Sequence, residues 1–416
     1  MNGKKITPPE FYTGAPVDHT DLRYREEFLA LLWETLARQH VLLTAPRRTG
    51  KTSVMDHLLH HPKGGFLVLK ENVQDLNHPA DFFLALLARF HDEHPNLVRD
   101  AISKGWSLVK TALDKIESVG TSEFKVALRE SDPKWSENWR RHGDELLKKL
   151  REPGKPVLIV IDELPDMLLN MRRDHPEALQ PFLAWFRSQR LEPNPKSDPL
   201  RWLVGGSVNL SSTLDAVGMV DLINDLEDLG LPVLTEAQVK DFVTTMLESR
   251  GVPLRPEVAS AVNKVLGRPI PLFLQMLTQD LFREWKKVGK RERPMNKADV
   301  AAAFERLVRS SAAQDRLQHY HSRLREYYRE PALSAAHAIL GKLSLSANGI
   351  SRRGLNAEFE HHLSQAGQSL LPHESKQAFN QLLRDLANDF YIEEITEDQF
   401  DFASGILKSW WRKYYA

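Results

Sequence analysis

The chain contains 416 residues, of which 42% are hydrophobic and 27% are charged, and its formal net charge is zero. This length exceeds that of one ordinary core and predicts roughly two or three domains. The balanced charge excludes a strong bulk attraction to nucleic acid, and the lack of cysteine excludes disulfides, thiolate metal sites and a cysteine nucleophile. The N-terminus carries no apolar segment typical of a secretory signal, and no apolar run approaches the roughly 18 to 20 residues that span a bilayer. We therefore expect a cytoplasmic protein without a membrane segment.

The first informative stretch is a loop between a predicted strand and a predicted helix. An amphipathic helix is predicted around residues 28 to 36, and the apolar run at 41 to 44 then predicts a strand. The loop at residues 45 to 52 has the sequence Ala-Pro-Arg-Arg-Thr-Gly-Lys-Thr, and apolar residues at helical spacing follow it. A Gly-Lys-Thr sequence in this strand–loop–helix context predicts a phosphate-binding loop.

The chemistry of phosphate binding assigns a role to each part of this loop. Successive backbone N–H groups hold phosphate oxygens, and the helix N-terminus adds partial positive charge. Lys51 is predicted to reach the β- and γ-phosphates, and the Thr52 hydroxyl to bind Mg²⁺. Ala45 stands where such loops usually have their first glycine, so we expect a negative φ there. The residues predicted to contact the nucleotide in this segment are Pro46, Arg47, Arg48, Thr49, Gly50, Lys51, Thr52 and Ser53.

A second strand and a mostly helical stretch follow the loop. Residues 66 to 69 predict the strand, and residues 79 to 150 predict helices by their period. Within that stretch, apolar and polar residues alternate at 122 to 128, which predicts a short strand.

The next strong pattern is an unbroken apolar run, residues 156 to 161, that ends in Asp162 and Glu163. Such a run is typical of a strand buried on both faces of a parallel sheet, and its carboxyl end is where ligands bind in open α/β sheets. Asp162 is predicted to hold Mg²⁺ directly or through water, and Glu163 to position the attacking water. The alternative is a core strand followed by a solvated acidic turn. The order of the two motifs favours the metal and water roles.

Another strand is predicted at residues 201 to 209, and it ends in small polar residues. Ser207 and Asn209 are candidates for contact with the γ-phosphate or its water. The alternative is a simple Gly-Gly turn at the end of the strand.

The region from 233 to 304 predicts a helical lid. Thr235 and Gln238 fit a capping box at its first helix, and residues 267 to 271 interrupt its helices. Residues 282 to 293 contain six basic and two acidic residues, which indicate either a solvated face or a patch for a partner or nucleic acid.

The C-terminal part predicts a linker helix over residues 305 to 331 and a winged-helix domain over residues 332 to 416. Residues 332 to 416 predict three helices followed by a hairpin, which is the pattern of a winged helix. The third helix carries few basic residues, which favours a protein-contact or autoinhibitory role over base recognition in the major groove.

These motifs together resemble the STAND and archaeal-type (MNS-like) branch of AAA+-like ATPases. The matching sequences are the loop at 45 to 52, Ile-Asp-Glu-Leu-Pro at 161 to 165, Gly-Ser at 206 to 207, Gly-Arg-Pro at 267 to 269, and the C-terminal Phe-Asp-Phe and Trp-Trp. The resemblance implies an α/β P-loop domain of the ASCE or AAA+ type with a parallel sheet, a helical lid and a winged helix. It implies that Glu163 is catalytic and that Arg268 and Pro269 lie on the adenine side of the nucleotide. An arginine finger between residues 210 and 232 is absent, and Arg187, Arg190 and Arg268 are the alternatives.

The expected function is therefore a slow ATPase switch that uses ATP or ADP and Mg²⁺, with nucleotide state controlling oligomerisation or engagement of an effector protein. The expected domains are an ATPase core at 1 to 232 with an insertion at about 79 to 150, and then the lid, linker and winged helix. Glu163, Lys51, Ser207 and Asn209 are the predicted catalytic residues, and Thr52 and Asp162 the metal ligands. One alternative is an ATP-dependent DNA-binding regulator that uses the winged helix or the basic lid patch. Another is a structural nucleotide that is never turned over.

Overall fold

The structure is a computed structural model, and it describes residues 9–46, 48–114, 121–191, 198–206, 214, 219–288, 293–367 and 370–416. The chain forms two compact units. The sheet unit comprises Asp18–Ala45 and Lys51–Leu231, and the helical unit comprises Met1–Val17, Pro46–Gly50 and Pro232–Ala416. Within the described part of the chain, no helix combines the length and the apolar character that crossing a membrane requires.

The sheet unit contains a parallel sheet of five strands in the order β2-β3-β4-β1-β5. The strands are β1 (Val41–Thr44), β2 (Leu67–Asn72), β3 (Val157–Asp162), β4 (Leu200–Gly206) and β5 (Glu227–Gly230). The apolar runs that predicted strands near 41, 66, 156 and 201 thus form β1 to β4. The loop and the acidic pair follow the carboxyl ends of β1 and β3, which lie on the same edge because the strands are parallel.

Helices cover both faces of this sheet. The helices of this unit are α1 (Glu26–Leu36), α2 (Lys51–His60), α3 (Pro79–Glu93), α4 (Pro95–Ser103), α5 (Ser107–Leu113), α6 (Thr121–Ser131), α7 (Trp139–Arg151), α8 (Leu164–Asp174) and α9 (Pro176–Leu191). Along β3, Val157, Ile159 and Ile161 belong to one apolar layer, and Leu158 and Val160 to the other. The first layer also contains residues of α3, α7, α8 and α9, and the second contains residues of α1 and α2. Burial on both faces explains why this strand has no polar residue before Asp162.

The strand predicted at residues 122 to 128 is wrong, because these residues lie in α6. Phe124, Ala127 and Leu128 are buried, and their spacing of three and four residues places them on one face of a helix. The alternation over seven residues matched a strand by coincidence, since the longer segment has the helical period.

In the segment of the helical unit from Pro232 onward, the first helix is α10 (Glu236–Glu248). Thr235 and Gln238 form the predicted capping box, in which each side chain bonds the backbone N–H at the other end. Further helices are α11 (Glu257–Leu266), α12 (Pro271–Val288), α13 (Lys297–Arg309) and α14 (Ser311–Tyr327).

The last part of this unit is a winged helix, as predicted. It contains α15 (Ala332–Leu345), β6 (Ile350–Ser351), α16 (Arg352–Gln365), α17 (Pro372–Asn388), β7 (Ile392–Thr396), β8 (Gln399–Phe402) and α18 (Gly405–Tyr414). The strands form an antiparallel sheet in the order β6-β8-β7. Trp410 and Trp411 of α18 are buried, so the aromatic C-terminal segment packs into its own unit.

Two glycines allow the backbone at the end of α11 and the backbone of the winged helix to meet. The N–H of Arg268 donates to the carbonyl of Ala403 at 2.9 Å, beside Gly267 with its φ of 67°. A Cβ atom on Gly405 would lie 2.1 Å from the carbonyl oxygen of Val265. Because that oxygen belongs to the backbone, only a shift of a whole helix end would make room.

Replacing Gly405 with alanine should therefore destabilise the protein by about 1 to 3 kcal/mol, as overpacking does. Gly341 is the matched control, because it lies within α15 and a Cβ there meets nothing within 4 Å. Gly341→Ala should be neutral or stabilise the fold by about 0.5 to 1 kcal/mol. Thermal unfolding of both variants measures the difference, and equal melting temperatures would contradict the close packing.

A buried histidine ties β4 to the end of α9 within the sheet unit. His40 Nδ1 accepts the N–H of Trp202 at 3.2 Å, and its Nε2 lies 3.3 Å from the carbonyl oxygen of Arg190. Burial, followed by the charges of Arg190 and Arg201, lowers the pKa of His40 to about 4. The ring is therefore neutral in the folded protein at pH 7.

A histidine whose pKa is lower in the folded state stabilises the fold above its unfolded pKa of about 6.5, and this contribution is lost as the pH falls towards 4. His40 should account for a loss of about 2 kcal/mol between pH 7.5 and pH 5. Urea unfolding of wild type and His40→Gln at both pH values tests this. The wild type should lose more stability on acidification than the variant, and equal losses would contradict the assignment to His40.

Candidate functional site

The loop between β1 and α2 has an unusual backbone. Arg48 has a φ of 70° and Gly50 a φ of 97°, whereas Ala45 is not among the residues with positive φ. The expected negative φ at Ala45 is therefore confirmed. The buried Thr49 hydroxyl donates to the carbonyl of Pro46 at 2.7 Å, which closes the loop on itself. In this loop Arg48, and not Ala45, has the left-handed backbone conformation that glycine adopts most readily.

The start of α2 and the end of β3 bring four of the predicted site side chains together. Lys51 Nζ lies 3.5 Å from Glu163 Oε1 and 4.0 Å from Asp162 Oδ1. The Thr52 hydroxyl donates to Asp162 Oδ2 at 2.7 Å. The structure therefore joins the two sequence motifs into one cluster, in which one ammonium faces two carboxylates.

The cluster is buried, and it is not fully satisfied. Asp162 has a relative exposure of 0% and Lys51 of 7%. Asp162 Oδ1 and Glu163 Oε2 are buried without a hydrogen-bond partner among the described residues. A buried carboxylate oxygen without a partner is unfavourable, so the site is suited to gain a cation or a hydrogen-bond donor.

Glu163 is held in a strained conformation. Its φ of 59° and ψ of 39° are left-handed, and it is the N-cap residue of α8. Such a conformation costs about 1 kcal/mol or more for a residue with a Cβ. Strain of this kind is common where a side chain must be aimed at a ligand. The sequence indicated the acid at this position but gave no sign of its backbone conformation.

Gly205 of β4 belongs to the site, although sequence analysis missed it. A Cβ at this position would lie 2.9 Å from Asp162 Oδ1 and 2.4 Å from Met55 Cε. The glycine therefore keeps the space next to the unpartnered oxygen of Asp162 open. The Gly-Gly sequence at the end of β4 was the available signal, but it also fits an ordinary turn.

The donor set of this cluster fits Mg²⁺ bound together with phosphate. A hydroxyl, a carboxylate and an adjacent open space are what Mg²⁺ uses when substrate oxygens and water complete its shell. In the described part of the chain, no group of three or more His, Cys, Asp or Glu side chains is arranged to hold a metal ion. An ion here would therefore need ligands from a bound molecule.

Other predicted residues lie elsewhere or outside the described residues. Ser207, Asn209 and Arg47 are among those outside. Arg268 and Pro269 lie in the helical unit, where Arg268 Nε is 2.9 Å from Glu393 Oε2 and its guanidinium lies 4.6 Å from the Phe390 ring centroid. The remaining predicted loop residue, Ser53, is buried in the first turn of α2.

Arg190 is wrong as an arginine-finger candidate. It is buried, and it donates to both carboxylate oxygens of Asp225 at 2.6 and 2.7 Å. It also donates to the carbonyl of Leu222 at 2.7 Å. These bonds give Arg190 a structural role within the sheet unit. Arg187, three residues earlier, is half-buried and lies 3.4 Å from Asn224 Oδ1.

No protein-family model matches the chain, and no curated protein matches it. Solved structures do resemble it. The Walker-type ATPase PABY2304 of Pyrococcus abyssi has 16% identity and a TM-score of 0.63, with 97% of this chain and 99% of that chain covered. The ORC2 protein of Aeropyrum pernix, in ADPNP–ADP complexes, has 11% identity and a TM-score of 0.51, with 94% and 91% covered. This likeness, together with the strand order and the winged helix, shows that the chain shares the α/β fold of these two proteins.

Proposed function

We propose that the chain binds ATP and Mg²⁺ at the loop between β1 and α2 and hydrolyses ATP slowly, as a molecular switch. The observation that carries this proposal is the convergence of Lys51, Thr52, Asp162 and Glu163 at one edge of the parallel sheet. Lysine, hydroxyl and paired carboxylates in this order serve phosphate and magnesium binding. The nucleotide named with the Aeropyrum pernix ORC2 structure, and the ATPase name of the Pyrococcus abyssi protein, support ATP as the ligand class.

In this proposal the residues of α2 hold the phosphates. Backbone N–H groups of the loop and of the first turn of α2 would donate to phosphate oxygens, and the helix N-terminus would add positive charge. Lys51 binds the β- and γ-phosphates. Thr52 and Asp162 would hold Mg²⁺, and the Asp162 oxygen beside Gly205 has no hydrogen-bond partner among the described residues. Bound Mg²⁺ would neutralise negative charge on the phosphates.

Glu163 orients the attacking water and accepts its proton. The water oxygen bonds to the γ-phosphorus while the bond to the bridging oxygen breaks, which yields ADP and phosphate. In the present structure Lys51 lies 3.5 Å from Glu163, so the ammonium competes for this carboxylate. Phosphate oxygens offer Lys51 a stronger partner, and its transfer to them would free Glu163 for water. Binding of ATP would thereby leave the Glu163 carboxylate able to act as the general base.

The remaining predicted contributors stay predictions. Ser207 and Asn209 are proposed to contact the γ-phosphate or its water, and Arg47 and Arg48 to line the loop. Pro269 is proposed to lie on the adenine side. Of the three alternative arginines, Arg190 is excluded, and Arg268 is engaged by Glu393 and Phe390. Arg187 likewise has a partner, Asn224, so we assign the arginine-finger role to none of the three.

The proposed output of the switch is assembly or engagement of a protein partner. Contacts to the γ-phosphate exist only before hydrolysis, so they can bias a two-state arrangement. The hairpin of the winged helix favours protein over DNA as its partner. Residues 389 to 404 contain no lysine or arginine, and their acidic residues are Asp389, Glu393, Glu394, Glu397, Asp398 and Asp401. Glu394, Glu397 and Asp398 among them are exposed, and DNA phosphates would be repelled by their charge.

The basic lid patch gives DNA little further support. Lys287 pairs with Glu284 at 2.7 Å, and Arg293 pairs with Asp299 at 2.7 Å. Lys290 and Arg291 lie outside the described residues. A basic side chain that is already paired with a carboxylate attracts DNA phosphates less strongly. We therefore propose a protein as the partner.

Two substitutions separate binding from turnover. Lys51→Ala should abolish ATP binding, because no other lysine shares its position at the start of α2. Glu163→Gln should keep ATP binding and lower the rate of phosphate release by about a hundredfold or more, as loss of a general base does. Phosphate release and fluorescent ATP binding measure the two effects.

Lys63→Ala and Glu177→Gln serve as matched controls, since both side chains are exposed and lie outside the cluster. Both controls should behave as wild type. Wild-type turnover in Glu163→Gln would remove Glu163 from the catalytic role. Absence of turnover in the wild type, with intact binding, would favour a structural nucleotide.

Nucleotide-dependent assembly is tested by mass photometry of wild type and Glu163→Gln in the apo state, with ADP and with ATP·Mg²⁺. A discrete larger species should form only with ATP and persist longest in the glutamine variant, because hydrolysis cannot disperse it. A monomer in every condition would contradict assembly as the output and leave engagement of a different protein.

A further inference from the structure

Four histidines of the sheet unit meet at the C-terminal end of α2. His57 and His60 lie on the last turn of that helix, His61 follows it, and His19 lies in the segment before α1. The rings of His19 and His60 stack with centroids 3.9 Å apart, and those of His57 and His61 lie 4.4 Å apart. The proposed nucleotide site uses none of these side chains.

Backbone carbonyls orient two of the rings. His57 Nδ1 lies 3.1 Å from the carbonyl oxygen of His19, and His60 Nδ1 lies 2.8 Å from the carbonyl oxygen of Asp56. A carbonyl oxygen only accepts, so each Nδ1 carries the proton and donates it. The Nε2 atom of each neutral ring is then left with a free lone pair. Proteins orient metal-binding imidazoles in this way, with the other ring nitrogen bonded to a carbonyl or carboxylate.

The other two rings already contact each other nitrogen to nitrogen. His19 Nδ1 lies 3.0 Å from His61 Nε2, and two neutral imidazoles at this distance share a single proton. Two nitrogen ligands of one tetrahedral zinc ion lie about 3.3 Å apart, given zinc–nitrogen bonds of about 2.0 to 2.1 Å. A small separation of these two rings, with the bridging proton moved to the other nitrogen of the ring that carries it, would therefore let a metal ion bind both facing nitrogens.

All four side chains are at least partly exposed, so they have room to turn. Among the described residues, no three ligand side chains already surround one point. Rotation of His57 or His60 about its side-chain bonds is needed to bring a third Nε2 to the ion.

We propose that His19, His57, His60 and His61 form a binding site for a divalent transition-metal ion, with Zn²⁺ as its typical ligand. Neutral imidazole donors favour zinc, nickel and copper over Mg²⁺ and Ca²⁺, which prefer oxygen. The ion would join the segment before α1 to the helix that begins at Lys51. It would thereby stabilise the sheet unit at the end of α2 opposite the predicted phosphate site.

The test is Zn²⁺ binding by the full chain without a purification tag, measured by competition with a chromophoric chelator. Wild type should bind one high-affinity Zn²⁺ per chain. His57→Gln/His61→Gln should bind at least about tenfold more weakly, as loss of ligands does. Substitution of Co²⁺ should give the absorption bands of a tetrahedral nitrogen-ligated site in wild type and lose them in the variant.

His361→Gln/His362→Gln is the matched control, because it removes two histidines from another helix, α16, with ring centroids 5.9 Å apart. This variant should bind Zn²⁺ as wild type does. Zn²⁺ should also raise the melting temperature of wild type but not of His57→Gln/His61→Gln, and the melting temperature without metal verifies that the variant is folded. No stoichiometric binding by wild type, or equal loss in both double variants, would overturn the proposal.

Discussion

A fully buried carboxylate, Asp162, is the constraint on which the sheet unit depends. Removing a carboxylate from water is very unfavourable unless a cation or hydrogen-bond donors compensate it. Here the compensation comes from the Thr52 hydroxyl and, at longer range, the Lys51 ammonium. Electrostatic attraction therefore holds the end of β3 against the start of α2. The helix must begin where Lys51 and Thr52 can reach Asp162. The position of the loop follows from this pairing as much as from its own sequence.

The same pairing fixes the side chains of the site and still leaves two carboxylate oxygens able to bind a ligand. One ammonium and one hydroxyl cannot satisfy two carboxylates, so Asp162 Oδ1 and Glu163 Oε2 are left without hydrogen-bond partners among the described residues. Gly205 keeps the space beside Asp162 Oδ1 free, and the left-handed backbone of Glu163 aims its side chain back at Lys51. An ion with its phosphate ligands would relieve the deficit. The stability of this part of the fold and its affinity for Mg²⁺ and ATP are thus linked through the same oxygens.

Much of this arrangement was predictable from the sequence because its signals are local. Burial on both faces leaves β3 without polar residues, a Gly-Lys-Thr sequence after a strand identifies the loop, and the Thr235 and Gln238 pair marks a helix start. The failures concern contacts between distant residues. The alternation at 122 to 128 concealed the helical face of Phe124, Ala127 and Leu128. Nothing in the sequence distinguished Gly205 from a turn glycine, paired Arg190 with Asp225, or brought His19 to the end of α2.

Equilibrium binding of ATP to the wild-type chain tests the central claim most directly, namely that these oxygens and Lys51 form a magnesium and triphosphate site. Isothermal titration calorimetry with excess Mg²⁺, and again with EDTA, measures stoichiometry and affinity. The account predicts one ATP per chain, with affinity falling about tenfold or more when Mg²⁺ is chelated, since the loss of 1.4 kcal/mol is tenfold. Absence of saturable binding in Mg²⁺ would contradict the site itself. Equal affinity with and without Mg²⁺ would contradict the role given to Thr52 and Asp162.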